Sequence, residues 1–175
     1  EDYNVAGARL GYQFTPNFRT GISYEFNDND IEGYKIGSVW AEYNFDSKTQ
    51  FAVSYAMMDH EGAESADTLN DQNTVSTDRM KKGSAIRLSL KRDWNTKATT
   101  ELEYARAEKG FTNTSASVSS GRQEIRLRHR QKLTGLMNLN IEGNLSESLE
   151  TKDKQETVSV TTVSYTHLTL PTTPV

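Results

Sequence analysis

The segment Arg122–Leu133, RQEIRLRHRQKL, constrains this chain more than any other stretch. From Glu124 to Lys132 every second residue is charged: Glu124, Arg126, Arg128, Arg130 and Lys132. Ile125, Leu127, His129 and Gln131 stand between them, and Leu133 follows. A repeat of two is the side-chain period of a β-strand, whose successive side chains leave opposite faces of a sheet. One face of this strand carries four cations in succession, from Arg126 to Lys132. That face needs water or counter-charge. The other face needs an apolar neighbour, although His129 and Gln131 interrupt it.

The same two-sided pattern recurs along the chain. Val5–Phe14 sets Ala6, Ala8, Leu10, Tyr12 and Phe14 against Gly7, Arg9, Gly11 and Gln13. Phe18–Phe26 sets Phe18, Thr20, Ile22, Tyr24 and Phe26 against Arg19, Gly21, Ser23 and Glu25. Further strands are expected at Tyr34–Phe45, Gln50–Met58, Lys82–Trp94, Ala98–Ala107 and Leu136–Leu145, with a ninth starting at Thr157–Thr162. Short and long connections alternate. Turns such as Thr15-Pro16-Asn17 and Asn95–Lys97 are tight, proline presetting φ in the first. Asn27–Gly33, Asp59–Met80, Lys109–Ser120 and Glu147–Glu156 read as longer polar loops. Transmembrane barrels show this asymmetry. Strands of about nine to twelve residues match a tilted bilayer crossing. Phe14, Phe18, Phe45, Phe51 and Trp94 all lie beside tight turns, as an interfacial aromatic girdle requires.

Composition points the same way. Hydrophobic residues make up 34% of 175 residues, lean for a water-soluble core of that length. Disorder would explain the polarity, but not eight Tyr, six Phe and two Trp at regular intervals. A transmembrane barrel explains both, because only alternate residues face lipid. A soluble antiparallel sandwich also alternates, but does not need tight connections confined to one end or charge on one face of nearly every strand. The net charge of −4 gives no support to nucleic-acid binding. Cysteine is absent, and no run of about 18 apolar residues offers a transmembrane helix. No signal peptide opens the chain, so a barrel protein is expected to be mature or truncated there.

Tight turns fix register, so cross-strand partners are predictable. Trp94 opposite Ala98 places Lys91 against Glu101. Leu133 opposite Met137 places Arg128 against Glu142 and Arg130 against Asn140. Phe14 opposite Phe18 places Arg9 against Ser23 and Gly7 against Glu25. The expected lumen-facing cations are Arg9, Arg19, Arg87, Lys91, Arg126, Arg128, Arg130 and Lys132. The expected anions are Glu25, Glu42, Glu101, Glu103 and Glu142, joined by Asp93 and Glu124. This balance sets no ion preference, and only the Arg126–Lys132 ladder is locally of one sign.

Other motifs carry less. Asp28-x-Asp30-x-Glu32-Gly33 resembles the front of a calcium loop, but the twelfth position is Val39 rather than a bidentate Glu. Asp59-His60-Glu61 has no matched nucleophile, so no enzyme is expected. No metal site or cofactor is indicated. Asn113-Thr114-Ser115 and Asn144-Leu145-Ser146 match glycosylation sequons that mean nothing in a bacterial outer membrane. Lys35 and Arg106, outward and near the long-loop ends, suit lipopolysaccharide phosphates or simple snorkelling at a surface.

The hairpins YQF-TPN-FRTGISYEF and YNF-DSK-TQFAVSYA resemble those of porin-like Gram-negative outer-membrane barrels, in which aromatics flank a short turn. The likeness covers residues 1–162 and also extends to the large barrels that sheathe multihaem cytochromes. It implies an outer-membrane protein with an even strand number in its intact form and passive passage of small hydrophilic solutes. The alternative is a non-conducting scaffold that sheathes or docks a multihaem cytochrome or an export component. Val163–Thr173 is similar to the one-frame translation of a transposon-end adaptor used in sequencing libraries. Residues 163–175 are therefore expected to be a non-native tail. The fold expected is all-β: an antiparallel up-and-down meander of about eight to nine strands forming part of a transmembrane barrel.

Overall fold

The computed structural model describes residues 4–28, 33–60, 82–111 and 119–164. They form nine strands: β1 (Asn4–Thr15), β2 (Phe18–Asp28), β3 (Tyr34–Asn44), β4 (Thr49–His60), β5 (Lys82–Asn95), β6 (Ala98–Ala107), β7 (Arg122–Lys132), β8 (Met137–Ser148) and β9 (Lys154–Ser164). All nine lie in one sheet, in chain order, each antiparallel to the next. β1 and β9 are the two edges and do not pair with each other. A sandwich would need a second layer. Here one sheet holds every strand, which excludes it for the described residues.

The register follows the sequence pattern closely. Arg9 opposes Ser23, Gly7 opposes Glu25, Lys91 opposes Glu101, Arg128 opposes Glu142 and Arg130 opposes Asn140, as expected. The residues beside the two tightest turns differ. Thr15, not Phe14, opposes Phe18, and Asn95, not Trp94, opposes Ala98. In each hairpin one strand carries an extra residue, after Gln13 and after Asp93. Such a bulge adds local right-handed twist and lets a two-residue loop close without slipping the rest of the ladder.

Several boundaries also move, most of all around the last loop. β8 continues through Ser148 and β9 begins at Lys154, so the expected loop 147–156 contracts to residues 149–153. The polar residues Glu147 and Gln155 pair in the ladder (Glu147 with Lys154, Gln155 with Ser146) rather than bulging away from it. Lys152 takes a positive φ of 62° inside that short turn. β9 runs on through Val163 and Ser164, opposite Asn138 and Met137.

The two faces of the sheet differ sharply. One exposes Leu10, Tyr12, Ile22, Val39, Leu102, Leu127 and Val158, the last at 78% of its full area. The other carries nearly all the strand charges and is more crowded. Contacts that skip strands occur on that crowded face. Arg9 of β1 reaches Trp40 of β3, and Ile36 and Met58 of β3 and β4 join Ala105 and Ala107 of β6. The sheet therefore curls with its polar face inside. Buried apolar residues among those described are only Ile36, Met58, Ala98, Ala105, Ala107 and Phe111. So small a core cannot hold nine strands in water. The exposed apolar face must be covered to contribute its share of stability.

Candidate functional site

Residues directly opposite in an antiparallel ladder share a face. The pairs Gln13–Arg19–Glu42–Ala52–Ser89–Glu103–Arg126–Asn144–Thr157 therefore trace one continuous row across all nine strands of the polar face. A parallel row runs Lys91–Glu101–Arg128–Glu142–Ser159. By this register Arg9, Arg19, Glu25, Glu42, Arg87, Lys91, Glu101, Glu103, Arg126, Arg128, Arg130, Lys132 and Glu142 all occupy the concave face.

Charge alternates across these strands, and ion pairs follow. Arg128 lies 3.6 Å from Glu101 on one neighbour and 3.3 Å from Glu142 on the other. Arg126 meets Glu124 at 3.4 Å, and Glu103 and Glu142 each at 3.9 Å. Arg87 donates to Glu103, whose residue is only 7% exposed. That carboxylate is the most enclosed charge of the face, held between two guanidiniums. Further along, the Arg19 Nε donates to Glu42 at 2.6 Å, and Gln50 donates to the same oxygen at 3.3 Å. Lys91 is a partial departure. It opposes Glu101 in register, yet its ammonium sits 3.8 Å from Asp93 on its own strand. Glu101 turns instead to Arg128, whose forked guanidinium can serve two carboxylates.

The cationic ladder of β7 is thus divided along its length. Arg126 and Arg128 are neutralised. Arg130 and Lys132, nearer the tight turns, are exposed and form no ion pair with any described residue. Towards the opposite end the face includes an apolar patch, which the sequence pattern did not foretell. Ile36, Met58, Ala105 and Ala107 cluster there under Phe111, which is 3% exposed. The segment after β6 folds inward to place it. The Phe111 amide donates to the Glu108 carbonyl at 2.9 Å, and the Glu108 carboxylate accepts from the Ser84 hydroxyl at 2.8 Å. Gly83 makes the room, since any Cβ there would overlap the Gly110–Phe111 backbone. The available signal was the run of small residues Gly83, Ala85, Ala105 and Ala107 on a face that is charged elsewhere.

Between these ends, strands β1 to β5 enclose a groove of about 410 Å³ lined by Arg9, Ser23, Ser38, Trp40, Glu42, Gln50, Ser54, Arg87 and Ser89, among others. It is polar, shaped and open to solvent, with nothing arranged as a nucleophile and base.

The apolar face has its own order. Phe18, Tyr43, Phe51, Leu90, Leu102 and Leu127 oppose one another in turn across β2 to β7. Phe14 packs 5.9 Å from Phe18, and Phe45 meets Tyr43 edge-on at 5.0 Å. Trp94 Nε1 donates to the Thr100 hydroxyl at 2.8 Å, and that hydroxyl bonds His129 Nδ1 at 2.8 Å. His129, an awkward residue on an apolar face by sequence, is therefore satisfied there. Asp59 is engaged with Lys82 at 3.6 Å. Glu61, Asp30, Glu32 and Asn113 lie outside the described residues.

A single up-and-down meander, charged within and apolar without, decides the architecture. The fold is an antiparallel β-meander of the kind that walls a transmembrane barrel. The KdgM porin in complex with disordered oligogalacturonate superposes with a TM-score of 0.50 at 11% identity, over 94% of this chain and 76% of that one. The CymD monoaromatic hydrocarbon channel superposes at 0.47 with 14% identity, over 92% of this chain and 51% of that one. No protein-family model matches the sequence, and no curated protein does.

Proposed function

We propose that this chain forms the wall of an outer-membrane channel through which small hydrophilic solutes diffuse. The observation that carries the proposal is the segregation of the nine strands into an inner charged face and an outer exposed apolar one. Water fills the space enclosed by the charged face, and lipid covers the other. Phe14, Phe18, Phe45, Phe51 and Trp94 form the interfacial girdle at the tight-turn end. Lys35 and Arg106, exposed on the apolar face towards the loop end, meet lipopolysaccharide phosphates. The fold likeness to a porin solved with a sugar-acid oligomer supports a hydrophilic cargo. Residues 163–175 are proposed to be a foreign tail that lends β9 two further pairs.

Selectivity arises where fixed charge is not already matched. Arg130 and Lys132 are better placed than Arg126 and Arg128 to bias ion passage, because the latter are neutralised on the wall. The test is reconstitution of the full chain into planar bilayers. Stepwise conductance in the range of a water-filled pore is the expected outcome. Insertion into lipid without conductance would overturn it and favour a scaffold that sheathes or docks a partner protein.

A further inference from the structure

The groove between β1 and β5 holds one charge that no described carboxylate answers. Glu42 is bound by Arg19, and Arg87 by Glu103. Arg9 is exposed and within ion-pair distance of no described carboxylate; its guanidinium carbon instead lies over the Trp40 ring, 4.4 Å from the centroid. The bed beneath that ring is built for it. Gly11 and Gly21 oppose each other in the ladder, and Gly21 opposes Trp40. A Cβ at Gly21 would come within 2.5 Å of the indole Cζ2, and one at Gly11 within 3.0 Å. The indole therefore lies close against two strands of bare backbone. Arg9 lies over the indole, on the concave side.

A guanidinium stacked on an aromatic ring loses rotamer freedom but keeps its in-plane N–H donors. With no described carboxylate to occupy them, those donors present a fork that matches an oxyanion of two equivalent oxygens. Ser54 and Ser89 line the same groove beside the Ser23–Ser38 pair, whose hydroxyls bond each other at 2.6 Å, and offer neutral hydrogen bonds to the rest of a hydroxylated solute. We propose that Arg9 on Trp40 is a docking site for the carboxylate of a small hydrophilic solute. This rests on the channel reading, which it deepens by naming the chemical group the wall captures.

The chain has two tryptophans, so Trp94→Phe leaves Trp40 as the only indole reporter. The full chain, folded in detergent micelles, is titrated with sodium glucuronate at constant ionic strength. Glucose, chloride and inorganic phosphate serve as parallel arms. A saturable change in Trp40 emission with glucuronate, absent with glucose and chloride, is expected. Arg9→Gln should weaken it about tenfold, the usual scale for one charge-assisted bond, and Arg9→Lys should recover only part, because a lysine cannot fork. Equal saturation by phosphate assigns the site to oxyanions in general and retains the proposal. A response matched by glucose or chloride, or unchanged in Arg9→Gln, overturns it. Bilayer conductance of the same preparation separates the two readings. Conductance with no glucuronate response sinks the docking site alone, and a glucuronate response without conductance sinks the channel alone.

Discussion

Leu102→Arg is the most discriminating single substitution available. Leu102 lies midway along β6, on the apolar face, between Leu90 and Leu127 in the cross-strand row. It is 44% exposed, with room for a longer side chain to extend outward without a clash in the sheet. In water such a change is a surface substitution and stays within about 0.5 kcal/mol. Against hydrocarbon near the bilayer midplane the same arginine costs about 2–4 kcal/mol. Three kilocalories is a factor of more than about a hundred in the folding equilibrium, so the two outcomes do not overlap. The assay is urea unfolding of the full chain in lipid vesicles, followed by tryptophan emission. Two controls set the scale. Ser89→Arg, on the polar face opposite Glu103, should be neutral within about 0.5 kcal/mol. Trp94→Arg, followed by the Trp40 emission that remains, should cost less than Leu102→Arg, since the penalty falls to about 0–1 kcal/mol near the interface, with loss of the bond to Thr100 added. A Leu102→Arg protein as stable in lipid as its parent would refute lipid contact on this face.

Three further outcomes are expected. Glu103→Gln leaves Arg87 and Arg126 facing each other without their shared carboxylate; it should lower stability by about 2 kcal/mol, and a cycle with Arg87→Gln should return a coupling near 1 kcal/mol because Arg87 is half exposed. Paired Arg130→Glu and Lys132→Glu should move the reversal potential in a salt gradient towards cations, whereas paired Arg126→Gln and Arg128→Gln should mainly lower the urea midpoint. Asp46, in the turn between β3 and β4, accepts the Lys48 amide at 2.7 Å, and that bond above all holds its carboxyl below the ordinary aspartate value. Its ionised form is thus favoured in the folded turn, so any stabilisation is present above the unfolded pKa and is lost as pH falls through the lowered folded value. A carboxyl carbon titration by NMR with its midpoint at or above that of a free aspartate would contradict this.

Much of the sheet was legible because two signals agreed. The alternation of Arg126, Arg128 and Arg130 with Leu127 and His129 set the faces, and short turns set the register. Together they placed Arg128 opposite Glu142 without any coordinates. Three features escaped for physical reasons. The bulges at Phe14 and Trp94 answer to turn geometry, which the alternation of polar and apolar residues does not record. Lys91 has two carboxylates in reach by sequence, Glu101 across the sheet and Asp93 beside it; in the structure it meets Asp93 while Glu101 faces Arg128, a choice that depends on side-chain placement across three strands. The Phe111 cluster joins β3, β4 and β6 with residues from a loop, so no local pattern announces it. Its clue lay in what was missing, namely the charges that small residues replace near the loop end.

The division of the β7 ladder has a consequence for how current would flow through the proposed channel. Along β7, fixed charge is neutralised at Arg126 and Arg128, and it is unmatched by any described carboxylate at Arg130 and Lys132, nearer the tight turns. The proposed channel would then act as an asymmetric ion exchanger. Anions entering from the end that carries Arg130 and Lys132 would be concentrated there, and those entering from the other end would not. Its current–voltage curve would bend, like that of a leaky diode, and the sense of the bend would report which way each molecule had inserted into the membrane.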